Sequence, residues 1–238
     1  MSETKKATVE EIRLRFDNDV ERFSNLETGQ SATIDAPLVL ELITRAAASL
    51  TPEAITLLDI GCGAGNFSLK MRERLPALSV TLVDLSAPML ERAVTRVTAS
   101  GAPSVNALQG DIREIELGEG AFDVVVAAAV LHHLREDAEW ESVFAKVYRS
   151  LRPGGSFWIA DLVRHRTPEV QGMMWERYGE YLAALRDEAY RDHVFAYVRY
   201  EDTPRPVLYQ TELMRRVGFR QVELLHANTV FAAFGGIR

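Results

Sequence analysis

The chain has 238 residues, 47% apolar and 26% charged, the mixture of a globular protein with a sizeable core rather than of a disordered one. Its 27 lysines and arginines against 34 aspartates and glutamates give a net charge of -7, so it lacks the basic surplus that drives binding to a phosphate backbone. The one cysteine, Cys62, excludes an intramolecular disulfide and a multi-thiolate zinc site, and no metal-ligand set is read from the sequence. The opening MSETKK has no apolar signal segment and the longest apolar run, Val124 to Leu131, is too short to span a membrane, so a cytoplasmic protein with no membrane partner is expected.

Val9, Ile12, Phe16, Val20 and Phe23 recur at spacings of three and four, which predicts one amphipathic N-terminal helix, and a second helix is predicted over Leu38 to Leu50. Five apolar runs then read as strands: Ile55 to Ile60, Val80 to Asp84, Val105 to Gln109, Phe122 to Ala128 and Ser156 to Leu162. Helices alternate with them. Ser86 can cap one that carries Met89, Leu90, Ala93, Val94 and Val97 on one face, and Asp137 another that carries Trp140, Val143, Phe144 and Val147. LRPGG, Leu151 to Gly155, is a stop and turn. Arg164 to Pro206 reads as a helical insertion, and Arg220 to Ile237 as an antiparallel hairpin turning at Ala227-Asn228. The alternation is that of an α/β protein with a mainly parallel sheet covered on both faces.

The strongest local signal is LLDIGCGAGN, Leu57 to Asn66, a buried strand running into a turn built from Gly61, Gly63 and Gly65. Such a turn lets the main chain approach a ligand, with the next helix presenting free N–H groups. Asn66 stands where a dinucleotide fingerprint has its last glycine, which disfavours a pyrophosphate loop and a nicotinamide enzyme. Asp84 ends the next strand, where a carboxylate can accept from both hydroxyls of a ribose; capping the turn before Ser86 is the alternative. Asp111, in Gly110 to Ile112, follows the third strand and can accept from an exocyclic amine, or simply be solvated in its loop.

In this order the three features resemble the class I S-adenosylmethionine-dependent methyltransferases, over nearly all of Ile55 to Leu162. The resemblance implies S-adenosyl-L-methionine as cofactor and a Rossmann-like sheet of seven strands, mainly parallel with a final antiparallel strand. It implies that Asp59 and the loop of Gly61, Gly63 and Gly65 cradle the methionine portion, that Asp84 holds the ribose, that Leu85 packs on adenine and that Asp111 with Ile112 recognises it. FDVVVAAAVLHHL, Phe122 to Leu134, matches the family's fourth strand and the loop beside the transferring methyl. The chain is thus expected as one domain: an N-terminal helical segment (1–50), a cofactor-binding core (55–163), an insertion over the substrate site (164–206), and a helix and hairpin completing the sheet (207–238).

The family's cofactor is a strong electrophile, so the protein must chiefly align a nucleophile and exclude water. His132 and His133 are the candidates for a general base if the acceptor must lose a proton, with packing or capping of the next helix as their alternative. Trp175, Tyr178 and Tyr181, at spacings of three, are candidates for lining the substrate pocket, with burial in a helix–helix core as the alternative. The segment Arg15 to Leu26 and the LHHL loop also resemble the branch with carboxy-S-adenosylmethionine synthases and tRNA wobble-uridine methyltransferases. A small-molecule methyltransferase acting on an oxygen, nitrogen or carbon nucleophile is the first expectation. A tRNA-modifying enzyme or cofactor synthase, a non-catalytic cofactor-binding subunit and a homodimer stay open.

Overall fold

Residues 5–25 and 30–238 are described by the computed structural model of the chain, so residues 1–4 of the opening and Leu26 at the end of the Arg15 to Leu26 segment lie outside the described residues. Helix α1, Val9–Asp17, starts in a capping box: the Thr8 hydroxyl accepts from the Glu11 N–H, and the Glu11 carboxylate accepts from the Thr8 N–H. The single helix expected over Val9 to Phe23 is broken after Asp17 and resumes as α2, Val20–Ser24. Asn18 stands at the break and donates its side-chain amide back to the Leu14 carbonyl, the local bonding that makes asparagine a poor helix-interior residue.

Helix α3, Ala36–Leu50, leads into β1, Thr56–Ile60, and α4, Asn66–Arg74. Then come β2, Ser79–Asp84, α5, Ala87–Ala99, β3, Val105–Gln109, and β4, Phe122–Ala128. Ser86 caps α5 as expected, accepting from the Met89 N–H. A 3-10 turn, Leu131–His133, precedes α6, Asp137–Ser150. The cap of α6 is Glu136 rather than Asp137: Glu136 and Glu139 form a reciprocal box, while Asp137 is the first helical residue and accepts from Arg205 Nε at 3.0 Å.

LRPGG stops α6, yet it is not a free turn. Strand β5 runs Leu151–Leu162, with Leu151 already paired to Phe122 and the register shifting before Ser156 pairs Val124. The proline and glycines form a bulge inside the ladder, the place where a sheet tolerates a missing N–H donor. Helices α7, Pro168–Leu185, α8, Glu188–Glu201, and α9, Val207–Val217, follow, and β6, Arg220–Asn228, pairs antiparallel with β7, Phe231–Ile237. The hairpin turns at Thr229-Val230, two residues later than expected, because Ala227 and Asn228 still pair with Ala232 and Phe231, and Thr229 takes the left-handed conformation.

The seven strands are ordered β3-β2-β1-β4-β5-β7-β6. β1 to β5 are mutually parallel, and β7 enters antiparallel between β5 and β6. Alternating residues feed opposite faces: Val125, Phe157 and Ile159 pack with Trp140, Phe144 and Met214, whereas Val124, Val126 and Trp158 pack with Ile43, Met71 and Ala93. A third cluster ties α7 and α8, through Tyr178, Leu182, Val194 and Val198, to Ile34, Leu162 and Phe231. Among the described residues no helix is long and apolar enough to cross a membrane.

Candidate active site

Strand order reverses at β1, which has β2 on one side and β4 on the other, so a crevice opens past the carboxyl ends of β1 and β4. Gly61, Gly63 and Gly65 fill it with three left-handed turns, at φ +65°, +50° and +82°. A Cβ at Gly63 would meet nothing within 4 Å, whereas one at Gly61 would stand 2.6 Å from the Val130 side chain. The first glycine is therefore a packing requirement and the second faces open space. Asn66 donates to the Phe23 carbonyl at 3.0 Å and accepts from Arg96 at 2.8 Å, so the residue that departs from a dinucleotide fingerprint ties α2 to the loop. Cys62 is buried, and burial pushes its thiol well up, away from reactivity.

Asp84 holds the loop from the neighbouring strand: one oxygen accepts from the Gly63 N–H at 2.8 Å and the other from the Ser86 N–H at 2.9 Å. Burial raises its pKa, and these backbone donors oppose the rise. Asp59 accepts from the Ser68 hydroxyl at 2.6 Å and its N–H at 3.2 Å, yet its burial is so complete that the carboxyl is pushed up to about 7. Both carboxylates, with Gly61, Gly63, Leu85 and Met89, line one cleft. Leu85 and Ile112 line the adjoining space with Val83, Val130 and Leu134. Asp111 reaches the same space, but Arg113 engages its carboxylate with the backbone N–H at 2.9 Å and Nε at 3.0 Å. Burial alone would raise the Asp111 pKa; the Arg113 guanidinium outweighs it, and the group is held low.

The two histidines differ. His132 is 8% exposed, and Asp161, at the end of β5, grips it twice: one carboxylate oxygen accepts from its backbone N–H at 3.0 Å, and the other meets ring Nδ1. Its Nε2 lies 3.6 Å from Asp202 Oδ1. Burial alone would lower its pKa, but the Asp161 and Asp202 carboxylates outweigh that and raise it to about 9. His132 is thus a ring held between two carboxylates, Asp161 at Nδ1 and Asp202 near Nε2, rather than a free imidazole in the loop. His133 is lowered by burial first and then by the neighbouring His132, so it stays neutral. Its Nδ1 lies 3.2 Å from Asp202 Oδ1.

Of the three aromatic residues singled out on α7, Tyr178 reaches a cleft and the other two are absent from its lining. Trp175 packs edge-on against Phe195 with ring centroids 4.7 Å apart, and Tyr181 donates to the Ser31 carbonyl at 2.7 Å, so both join α7 to its neighbours. Tyr178 donates to the Ala32 carbonyl at 2.9 Å while its ring stands beside Phe231. The cleft it borders, under α7 and α8, is walled mainly by Ile34, Val39, Leu162, Val198 and Phe231, with His132, Asp161 and Asp202 at one end. Sequence reasoning missed Asp161 and Asp202. Asp161 carries the same signal as Asp84, a carboxylate ending a parallel strand; Asp202 carries none, because only folding brings the end of α8 to the 3-10 turn.

A family description, methyltransferase domain, matches residues 57–155. The uncharacterised methyltransferase Rv0089 of Mycobacterium tuberculosis is 34% identical over 119 residues, which are 50% of this chain and 55% of the relative, so the chain spans about half the length of that curated relative. The Bacillus subtilis protein YqeM, whose name assigns it to the methyltransferases, is 30% identical over 191 residues, covering 71% of this chain and 75% of its own length. The chain belongs to the class I S-adenosylmethionine-dependent methyltransferases.

Membership in that family agrees with the architecture. The structure of human N-acetylserotonin methyltransferase in complex with its S-adenosylmethionine superposes with a TM-score of 0.63 over 98% of this chain and 63% of that one, at 16% identity, a likeness of fold. The site residues fit the cofactor of this methyltransferase family. Asp59 and Asp84 offer buried acceptors to a ligand rich in hydroxyl and ammonium donors, Gly63 leaves space at the turn, and Leu85 with Ile112 offers apolar walls to a flat base.

Proposed function

We propose that this methyltransferase uses S-adenosylmethionine to methylate a small, largely apolar acceptor at an oxygen, nitrogen or carbon atom. The observation that carries the reading is a shared wall: Phe16, Phe23, Phe67, Ala128 and Ala129 border both the glycine-loop cleft and the cleft under α7 and α8. The two clefts therefore adjoin along those residues, and a donor in the first meets an acceptor in the second where they join. When bound, the cofactor supplies a methyl carbon that is already electrophilic, so no elaborate catalytic group is required.

What the chain contributes is placement and the exclusion of water. Asp84, fixed by the Gly63 and Ser86 amides, presents its remaining acceptor capacity to the ribose hydroxyls. Asp59 does the same for the methionine end from deeper in the crevice, and Leu85 and Ile112 flank the adenine. Asp111 already accepts from Arg113, so the pair together forms the polar edge beside that base. On the acceptor side Ile34, Leu162, Val198 and Phe231 exclude water, while the Arg15 and Arg22 guanidinium groups lie over the Phe16 and Phe23 rings, 4.2 and 4.5 Å from their centroids, and hold that wall together. The apolar lining and the net charge of -7 support a metabolite rather than RNA as acceptor.

The test is calorimetric titration of the folded chain with S-adenosylhomocysteine, followed by transfer of labelled methyl from S-adenosylmethionine to small phenols, amines and active-methylene compounds. One bound equivalent and label in an organic-soluble product are expected. Absence of uptake by folded protein overturns the reading.

A further inference from the structure

We infer that His132, His133 and Asp202 form a binding site for one divalent transition-metal ion of the zinc type, at the wall between the two clefts. The three side chains each place a ligand atom so that all lie within 4.8 Å of one another. Asp202 Oδ1 is 3.2 Å from His133 Nδ1 and 3.6 Å from His132 Nε2. Two ligands held at roughly 2.0–2.1 Å in a tetrahedral shell stand about 3.3–3.4 Å apart, a value that the two separations of 3.2 and 3.6 Å bracket.

The second observation is unmet bonding. Asp202 is 6% exposed, and its Oδ1 and both ring nitrogens of His133 are buried without a well-formed hydrogen bond, although Asp202 Oδ1 stands 3.2 Å from His133 Nδ1. Buried polar atoms left in this state cost free energy unless something binds them. Asp161 supplies the third observation. It engages His132 at Nδ1, the arrangement by which a carboxylate behind a histidine fixes the ring and leaves Nε2 to face a metal. Of the cations near the cluster, Arg15 is paired with Glu201 at 2.7 Å, while Lys6 donates to the backbone carbonyl of Asp202 rather than to its carboxylate. Two imidazoles and one carboxylate suit zinc or its neighbours in the first transition row better than magnesium or calcium. On binding, the ion displaces any proton held at the ring nitrogens it ligates, and that proton leaves to solvent.

Three protein ligands leave one position for water or an exogenous ligand. His132 and Asp202 border the cleft under α7 and α8 and His133 the glycine-loop cleft, so the ion would sit where the two clefts adjoin. Metal binding itself does not depend on methyl transfer, and the experiment reads it directly. Metal-stripped full-length protein is titrated with cobalt(II), following its visible ligand-field bands, and with zinc by calorimetry, with and without S-adenosylhomocysteine.

One equivalent at micromolar affinity or tighter, with the intense bands of four- or five-coordinate cobalt, is the expected result. His133→Ala and Asp202→Asn should each lower the affinity by about 100-fold, and Asp161→Asn by about 10- to 100-fold as a positioning residue. His226→Gln, whose histidine bonds Asp35 elsewhere, should leave it unchanged. Where a variant does not fold, the wild-type titration still decides. Folded wild-type protein that takes up neither ion, or uptake unaltered in folded His133→Ala and Asp202→Asn, overturns the proposal. S-adenosylhomocysteine uptake without metal uptake would refute the metal site and leave the methyltransferase reading standing.

Discussion

Two glycines of the same loop should respond in opposite ways to the same added methyl group. Gly61 and Gly63 both have left-handed backbones, at φ +65° and +50°, so Ala at either costs about 1–2 kcal/mol of backbone strain. Beyond that they part. At Gly61 the new Cβ would stand 2.6 Å from Val130 Cβ and Cγ2, an overlap in a packed region that costs about a further 1–3 kcal/mol. At Gly63 nothing lies within 4 Å, so no packing cost is added, but the methyl projects beside the glycine-loop cleft. Urea unfolding should therefore place Gly61→Ala about 1–3 kcal/mol below Gly63→Ala, or about 2–12 °C lower in Tm for a chain of this size. Titration with S-adenosylhomocysteine should show the reverse emphasis: Gly63→Ala keeps its fold and loses about tenfold or more in affinity, roughly 1.4 kcal/mol. Equal stability of the two variants would refute the steric argument at Val130, and full affinity in Gly63→Ala would remove that turn from the ligand's path.

Asp84→Asn keeps side-chain volume and one acceptor for the loop, so the fold should survive while S-adenosylhomocysteine binds more weakly by about 1.5–3 kcal/mol, read by calorimetry. Asp59 predicts a pH dependence. Its carboxyl ionises near 7 in the fold against an ordinary 3.8, so the folded state holds a proton that the unfolded chain has lost, and stability falls as pH rises from about 4 to about 7. The difference of about 3 pH units is worth at most about 4 kcal/mol, and Asp59→Asn should flatten that slope in unfolding free energies measured at pH 5 and pH 8. Tyr178→Phe removes the donor to the Ala32 carbonyl and should cost about 1 kcal/mol of unfolding free energy, read as a lower urea midpoint with no change in the denaturant slope.

How far the sequence was legible follows the range of each interaction. Runs such as Val80 to Val83 and Val124 to Ala127 are largely apolar because each strand is buried on both faces, so their positions emerged from the apolar pattern. Ser86 before α5 was equally legible, since a cap acts within one turn. Errors fell where two local signals competed. Asn18 broke a helix whose apolar spacing continued through it, Glu136 took the capping role from its neighbour Asp137, and the turn of the last hairpin moved to Thr229 because register across β6 and β7 was set by pairing.

The amino-acid order alone determined the strand runs, the glycine turn and the family resemblance, because a strand, its turn and the carboxylate on the next strand are built from residues near one another in the chain. Tertiary structure decided everything that depends on which distant ends meet. It set His132 between Asp161 and Asp202, brought Asp202 from the end of α8 to both histidines, and spent Asp111 on Arg113. No local periodicity encodes such meetings; they are fixed when α7 and α8 pack Tyr178 and Val198 against Leu162 and Phe231, and the charges beside them are carried into place by that apolar contact.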